Sequence, residues 1–191
     1  LLGGIQVAPN SQLTIHSLDI TGLGDNNITC GGETSSVRFK DVYLNLSRDY
    51  SFTSGSMIFQ QEVCITGTNT FTYATDQTST IEKCSMLKID CSNFRYAPSI
   101  EDRDLMYMSD ETSWLHVRGS QLSSTTTGLR LTRGKLIIDH TNILSNDGAV
   151  SLSEAIAFGN GDANEDLRIE VLPGASIELA SGILDYQNVD A

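Results

Sequence analysis

The sequence predicts an all-β protein, a single-stranded right-handed parallel β-helix of about seven three-strand rungs. Three observations carry that reading. A phrase recurs as FTSGSMIF at Phe52–Phe59, LTRGKLII at Leu131–Ile138 and LASGILDY at Leu179–Tyr186. Each copy has a glycine (Gly55, Gly134, Gly182) followed by apolar residues two and four places on, as expected where a strand meets a tight corner and resumes. Alternation at period two pervades the chain, while the 3.6-residue period of helices is hard to find. Hairpin turns are also scarce: Asp147-Gly148 stands among small residues, and Pro173-Gly174 is the only such turn between two good strands. A two-layer sandwich of hairpins, which needs those turns, is therefore the lesser reading.

The elements follow in order. Leu13-x-Ile15, Leu18-x-Ile20, Val37-x-Phe39, Val42-x-Leu44, Tyr50-x-Phe52, Met57-x-Phe59, Val63-x-Ile65 and Phe71-x-Tyr73 fill the first part. Leu87-x-Ile89, Phe94-x-Tyr96, Leu115-x-Val117, Leu129-x-Leu131, Leu136-x-Ile138, Leu167-x-Ile169-x-Val171 and Ile177-x-Leu179 fill the rest. Each is short, rich in β-branched and aromatic residues, and bounded by Gly, Asn, Asp or Ser. Corners between them are single polar residues or loops of varied length. Val37–Phe39, Val42–Leu44 and Tyr50–Phe52 group as one rung, and Met57–Phe59, Val63–Ile65 and Phe71–Tyr73 as the next. Equivalent strands recur every 20 to 30 residues or so, giving a column roughly 35 Å long at about 4.8 Å per rung. Tyr50 and Phe52 over Phe71 and Tyr73 form an expected aromatic ladder.

Two segments are ambiguous. Ser99–Thr112 has a helix-capping start in Ser99 but reads better as a loop followed by a strand at Leu105-x-Tyr107 or Met106-x-Met108. Gly148–Phe158 is read with a strand at Ile156–Phe158. Residues 1–191 form one β-helix domain in this reading. The opening LLGGIQ lacks an initiator Met, a basic leader and a secretory apolar core, so a segment of a longer product is expected.

Composition excludes more than it assigns. Twenty-four acids against twelve bases give a formal net charge of −12, which repels phosphate backbones and anionic membranes, so no nucleic-acid partner is expected. No run approaches the roughly 20 apolar residues of a transmembrane helix, so no membrane insertion is expected. Low charged content with abundant Ser, Thr, Asn and Gly suits an extracellular or cell-surface placement, whereas the sequons at Asn27 and Asn45 are triplets that arise by chance in Ser/Thr-rich chains.

Candidate chemistry is sparse. His116 and Arg118 on one rung, with Asp139 and His140 on the next, are the nearest approach to a polysaccharide-cleaving constellation, but it holds one carboxylate where such sites need two or three. Glu101, Asp102, Asp104, Asp110 and Glu111, and the run Asn160-Gly-Asp162-Ala-Asn164-Glu165-Asp166, carry calcium-type oxygens without the spacing of a calcium loop, and read better as solvated loops. His16, His116 and His140 lack a nucleophile elbow for a Ser-His-Asp triad. Cys30, Cys64, Cys84 and Cys91 lack zinc spacing, and a Cys64–Cys91 or Cys84–Cys91 bridge between neighbouring rungs is the alternative to free thiols. No catalytic, cofactor-binding or metal residue is assigned, and no cofactor.

With these features the chain resembles the non-enzymatic surface-protein branch of the pectin-lyase-like right-handed β-helices. The phrases YSFTSGSMIF, VCITGTNTFTYATDQTSTI and LKIDCSNFRYAPS are similar to repetitive β-helix proteins of Dependentiae bacteria. The resemblance covers residues 10–190, rests on repeats, and brings no functional residue with it. It implies a non-enzymatic structural protein at the cell surface, and the ends LLGGIQV and ILDYQNV, which show no amphipathic cap helix, lead to the expectation of a filament or fibre subunit that oligomerises through its ends. A carbohydrate-binding or host-adhesion module, with Trp114 outward and surface glycans as partners, is the alternative. A polysaccharide lyase or hydrolase is the least favoured reading.

Overall fold

The computed structural model describes residues 3–25, 27–100, 105–124, 129–139, 142–144, 154–158, 167–173 and 183–186, in which there are nineteen strands and no helix. In chain order these are β1 (Ile5–Val7), β2 (Gln12–Leu23), β3 (Ile28–Cys30), β4 (Ser36–Leu46), β5 (Tyr50–Phe52), β6 (Ser56–Thr66) and β7 (Thr70–Tyr73). There follow β8 (Ser79–Ile81), β9 (Met86–Asp90), β10 (Asn93–Tyr96), β11 (Met106–Met108), β12 (Trp114–Arg118) and β13 (Gln121–Ser124). The last are β14 (Leu129–Leu131), β15 (Gly134–Asp139), β16 (Asn142–Leu144), β17 (Glu154–Phe158), β18 (Leu167–Val171) and β19 (Ile183–Tyr186).

Every ladder is parallel, and strands pair with the strand one turn away rather than with their chain neighbour, which makes the molecule a parallel β-solenoid of about five turns. The expected count of about seven included Ile177-x-Leu179, which lies outside the described residues. Three faces result. The first holds β1 on β3, and the ladder β5-β7-β10-β13-β16. The second holds the leading halves of β2, β4 and β6, then β8 and β11, with β14-β17-β19 as a separate ladder. The third runs from the trailing halves of β2, β4 and β6 through β9, β12, β15 and β18. The structure places every alternating segment of the sequence reading on a strand, apart from Ile177-x-Leu179, which it does not describe. The sequence reading missed β1, β3, β8, β13 and β16, and it divided β2, β4 and β6 into short pieces.

Those three strands run eleven or twelve residues because their corner costs a single residue in β2 and β4 and two in β6. Ser17, Asp41 and Gln61 sit in the left-handed region at φ 50°, 53° and 59°, and Cys84 takes the equivalent corner of the next turn at φ 54°. One such residue redirects the chain while pairing resumes on either side of it, as Lys40 over Gln60 and Val42 over Val63 show. Short polar side chains tolerate this conformation better than β-branched ones. Gly55 and Gly134 also have positive φ and stand at corners, but not at the same one: Gly55 leads into the second face and Gly134 into the third. The recurring phrase is thus a corner motif rather than a rung repeat. Gly182 lies outside the described residues.

Inward residues stack in register. On the third face Val42, Val63, Leu87, Leu115 and Leu136 form one column, and Leu44, Ile65, Ile89, Val117 and Ile138 the next, all at most 1% exposed. On the first face the expected aromatic ladder extends further than predicted. Tyr50 to Phe71 is 5.6 Å between ring centroids, Phe71 to Phe94 5.9 Å, and Tyr73 to Tyr96 5.7 Å with only 3° between planes. Each fully buried side chain of this size contributes about 1.5–3 kcal/mol of transfer free energy. The phenols keep their polar ends satisfied: the Tyr50 hydroxyl donates to the Ile28 carbonyl at 2.6 Å, and the Tyr73 hydroxyl reaches the Leu105 carbonyl at 2.7 Å.

Corners leave backbone groups without an in-register partner, and buried serines supply one. Ser85 Oγ accepts from the Gln61 amide at 2.9 Å, Ser113 Oγ donates to the Glu82 carbonyl at 3.0 Å, and Ser92 Oγ donates to the Asn69 carbonyl at 2.8 Å. Loops bond across turns as well. The Ser99 amide donates to Asp76 Oδ1 at 2.6 Å, one turn back, and the expected strand is present as β11, residues 101–104 lying outside the described residues. Likewise β17 covers the predicted Ile156–Phe158.

Glycine matters most where the next turn presses on it. A Cβ on Gly55 would lie 2.5 Å from the Ser35 carbonyl oxygen and 2.6 Å from Cys30 Cβ, at φ +74°. Gly119 stands over Cys91 with nearly the same φ (55° and 54°) and only the Cys91 sulfur at 3.3 Å. Gly55→Ala should therefore lower the unfolding free energy by about 2 kcal/mol or more, whereas Gly119→Asn should change it by less than about 1 kcal/mol. Urea unfolding followed by far-UV circular dichroism checks the pair, and equal effects would contradict this view of the corners.

Candidate functional site

The third face brings the predicted constellation together and adds to it. Leu115 and Val117 point inward, fully buried, so His116 and Arg118 project outward from β12. Arg118 is in register with Asp90 of β9 below and Asp139 of β15 above, while His116 is in register with Lys88. The Arg118 guanidinium reaches Asp139 Oδ2 at 3.4 Å and Asp90 Oδ2 at 3.6 Å, Lys88 Nζ reaches Asp90 Oδ2 at 2.8 Å, and His116 Nε2 lies 4.0 Å from Asp139 Oδ2. His140 lies outside the described residues. Lys88 and Asp90 escaped the sequence reading, although Lys88-x-Asp90 alternates outward one turn below His116-x-Arg118; the signal was there once the turn length was known.

The electrostatics are those of a closed ion ladder. Burial acts to raise the Asp90 pKa, but the hydrogen bond and charge of Lys88, with Arg118, outweigh it and hold the carboxyl below its usual range. A general acid near neutral pH needs the opposite shift. An inverting carboxylate pair needs water between its members, and here Arg118 occupies the rung that separates Asp90 from Asp139. The arrangement neutralises charge across three turns and, among the described residues, assembles no acid–base pair.

His116 is the least settled member. Its Nε2 is shielded from solvent and has no hydrogen-bond partner, and burial, reinforced by the Lys88 charge, pushes its pKa below the ordinary 6.5 against the pull of Asp139 and Asp90.

The other candidates fall apart or lie elsewhere. The Asp110 carboxylate closes its own turn, accepting from the Thr112 amide at 2.9 Å and hydroxyl at 2.6 Å. Glu101, Asp102 and Asp104, and residues 160–166, lie outside the described residues, among which no cluster of three or more metal-ligating side chains occurs. His16 is exposed on the second face, far along the coil from His116. Asn27 is tied down, its Oδ1 accepting from the Gly24 amide at 2.7 Å, while Asn45 is exposed.

All four thiols are free, and neither alternative bridge is formed. Spacing of 27 residues suggested that Cys64 and Cys91 were one rung apart. The turn here is shorter: Cys64 lies over Lys88, three residues or about 10 Å along the strand from Cys91. Cys84 and Cys91 flank opposite ends of β9. Burial raises the Cys64 thiol to about 11.

Trp114 projects outward, 39% exposed, with Lys135 Nζ 4.8 Å from its ring centroid and Lys135 in turn paired with Glu170. No helix of the described residues is long and apolar enough to cross a membrane. No protein-family model, curated protein or solved structure matches the chain.

The His116 shift sets a pH dependence. The folded imidazole takes up a proton less readily than the unfolded one, so its contribution is present above about pH 6.5 and is lost as pH falls toward the lower folded pKa. The wild type should lose more stability between pH 7.5 and 5.5 than His116→Gln, measured by urea unfolding at both pH values. Parallel losses in the two proteins would refute the assignment.

Proposed function

We propose that this chain is a non-catalytic, right-handed β-helix of the pectin-lyase-like surface-protein kind, displayed outside the cell and stacking end to end on further copies. Right-handedness is supported by the strong preference of parallel crossover connections for that hand. One observation carries the stacking. The inward columns of the third face end in exposed apolar side chains, one of the two at β2, where Ile20 stays buried, and both at β18. Leu18 of β2 is 51% exposed although its register partner Val42 is fully buried. Ile169 and Val171 of β18 are 38% and 47% exposed, over the buried Leu136 and Ile138. Among the described residues β2 and β18 each pair on one side only, so open strand edges accompany these apolar rows. A second copy satisfies edge and row together, and the contact repeats head to tail.

The net charge of −12 opposes association at low ionic strength. Sedimentation analysis should show mass rising with concentration and with salt, and Leu18→Lys should hold the protein monomeric. A wild-type mass that stays monomeric across both series would defeat the stacking reading.

A second reading, a glycan-adhesion module, has one supporting observation. An open groove of about 330 Å³ on the first face is walled by Asp49, Ser51, Thr72, Asn93, Arg95 and Gln121 from successive turns. Such a ladder of hydroxyl, amide and charged groups suits a polyhydroxylated chain. A glycan array should then give binding that Thr72→Val weakens, and an array blank for every sugar removes this reading.

A further inference from the structure

A second hollow, on the third face, has different chemistry. It measures about 500 Å³, within the range of small-molecule clefts, and lies where the corner between the second and third faces meets β9. Met86 and Trp114, in register on neighbouring strands, supply its carbon surface, and Glu62, in register with Met86 on the other side, supplies a carboxylate. Trp114 therefore stands on one side of Met86 and Glu62 on the other.

The hydroxyls around the hollow are already engaged. Ser85 Oγ accepts from the Gln61 amide and donates to the Lys83 carbonyl at 3.1 Å. Thr112 Oγ1 accepts from the Cys84 amide at 2.7 Å and donates to Asp110 at 2.6 Å. A sugar would find few donors and acceptors here. Besides Gln61 and Cys84, the hollow is lined by an aromatic ring, a thioether and a single carboxylate, in a chain of net charge −12. The negative charge of Glu62 is felt nearby: it is the leading cause of the raised pKa of the Tyr43 phenol.

The ring also shows its affinity for cations. Lys135, on the strand flanking Trp114 opposite Met86, already places its ammonium 4.8 Å from the indole centroid. Cations are drawn to the π-face of Trp above all other side chains, and the attraction grows when an opposite charge stands close by. From this juxtaposition we propose that the hollow between Glu62 and Trp114 binds a small organic cation, a substituted ammonium whose alkyl body packs on Met86 and Trp114 while its charge faces Glu62.

Trp114 is the only tryptophan in the chain, so its fluorescence reports the site directly. The full chain is titrated with choline and, in parallel, with 3,3-dimethylbutanol, which has the same shape without the charge. Choline should give a saturable change in emission, and the neutral analogue an affinity lower by about tenfold or more. Glu62→Gln should weaken choline by a similar factor with an unchanged circular dichroism spectrum, and Met86→Lys, which places an ammonium of the protein's own in the hollow, should abolish the response. Equal affinity for the two probes, unaltered choline binding in folded Glu62→Gln, or no saturable response in the wild type would each overturn the proposal. A response to a neutral oligosaccharide in place of choline would also overturn it.

Discussion

In-register pairing between successive turns is the constraint on which everything else in this molecule depends. A parallel strand pair places each residue beside one partner above and one below, so the chemistry of a position is judged along the column as much as along the chain. Val63 is buried because Val42 and Leu87 are its neighbours, and Phe71 because Tyr50 and Phe94 are. Each inward residue therefore gains contacts only if the residues one turn away are also apolar and of similar bulk. The tilt between rings shrinks from 33° for Tyr50 and Phe71 to 3° for Tyr73 and Tyr96, as like stacks on like. A polar residue inserted in such a column would lose both neighbours at once, which is why the inward positions are so uniform while the outward ones vary freely.

This constraint explains what the sequence revealed and what it concealed. Inward positions alternate with outward ones, so Leu13-x-Ile15 or Phe94-x-Tyr96 declares a strand without help from its neighbours. Strands with a weak pattern, such as Ser79–Ile81 and Gln121–Ser124, become strands because the turns on either side dictate their partners. That information is carried by register, which local alternation does not contain. The surface was less legible for the same reason. His116, Arg118 and Asp139 could be proposed as neighbours, but Lys88 and Asp90 required knowing that Leu87 lies under Leu115. The same unknown left a Cys64–Cys91 bridge open as an alternative, because turn length varies along the coil: Leu44 to Ile65 is a short turn and Leu136 to Ile169 a long one.

Corners show a different division of labour. Glycine marked them in the sequence, yet Ser17, Asp41, Gln61 and Cys84 make the regular corner between the second and third faces with no glycine at all. The left-handed conformation costs such residues about 1–2 kcal/mol each. What offsets it is the pairing that resumes at once on both sides, so that long strands bend without losing their ladder. Glycine is required only where the adjacent turn leaves no room for a Cβ, as at Gly55 and Gly134 and unlike Gly119. Steric crowding from another turn is a tertiary property, so the glycines report contacts between turns, whereas the polar corner residues report only local geometry.

Function in such a coil is written on its outward columns, because the inward ones are committed to stacking. Columns of the third face, from the one through Trp114 to the one through Arg118 at the other end of β12, do different things. Asp90, Arg118 and Asp139 alternate in sign and neutralise one another, so that column joins turns. Ile169 and Val171 end inward columns in the open, where the proposed stacking contact would form. Glu62, Met86 and Trp114 alternate neither in sign nor in size: a carboxylate, a flexible thioether and a large ring follow in successive turns, and a hollow remains between them. Where partners along a column match, the surface closes; where they are mismatched, it opens. A coil with variable turn length generates such mismatches without disturbing its core, and this gives a rigid structural scaffold the means to carry a ligand site.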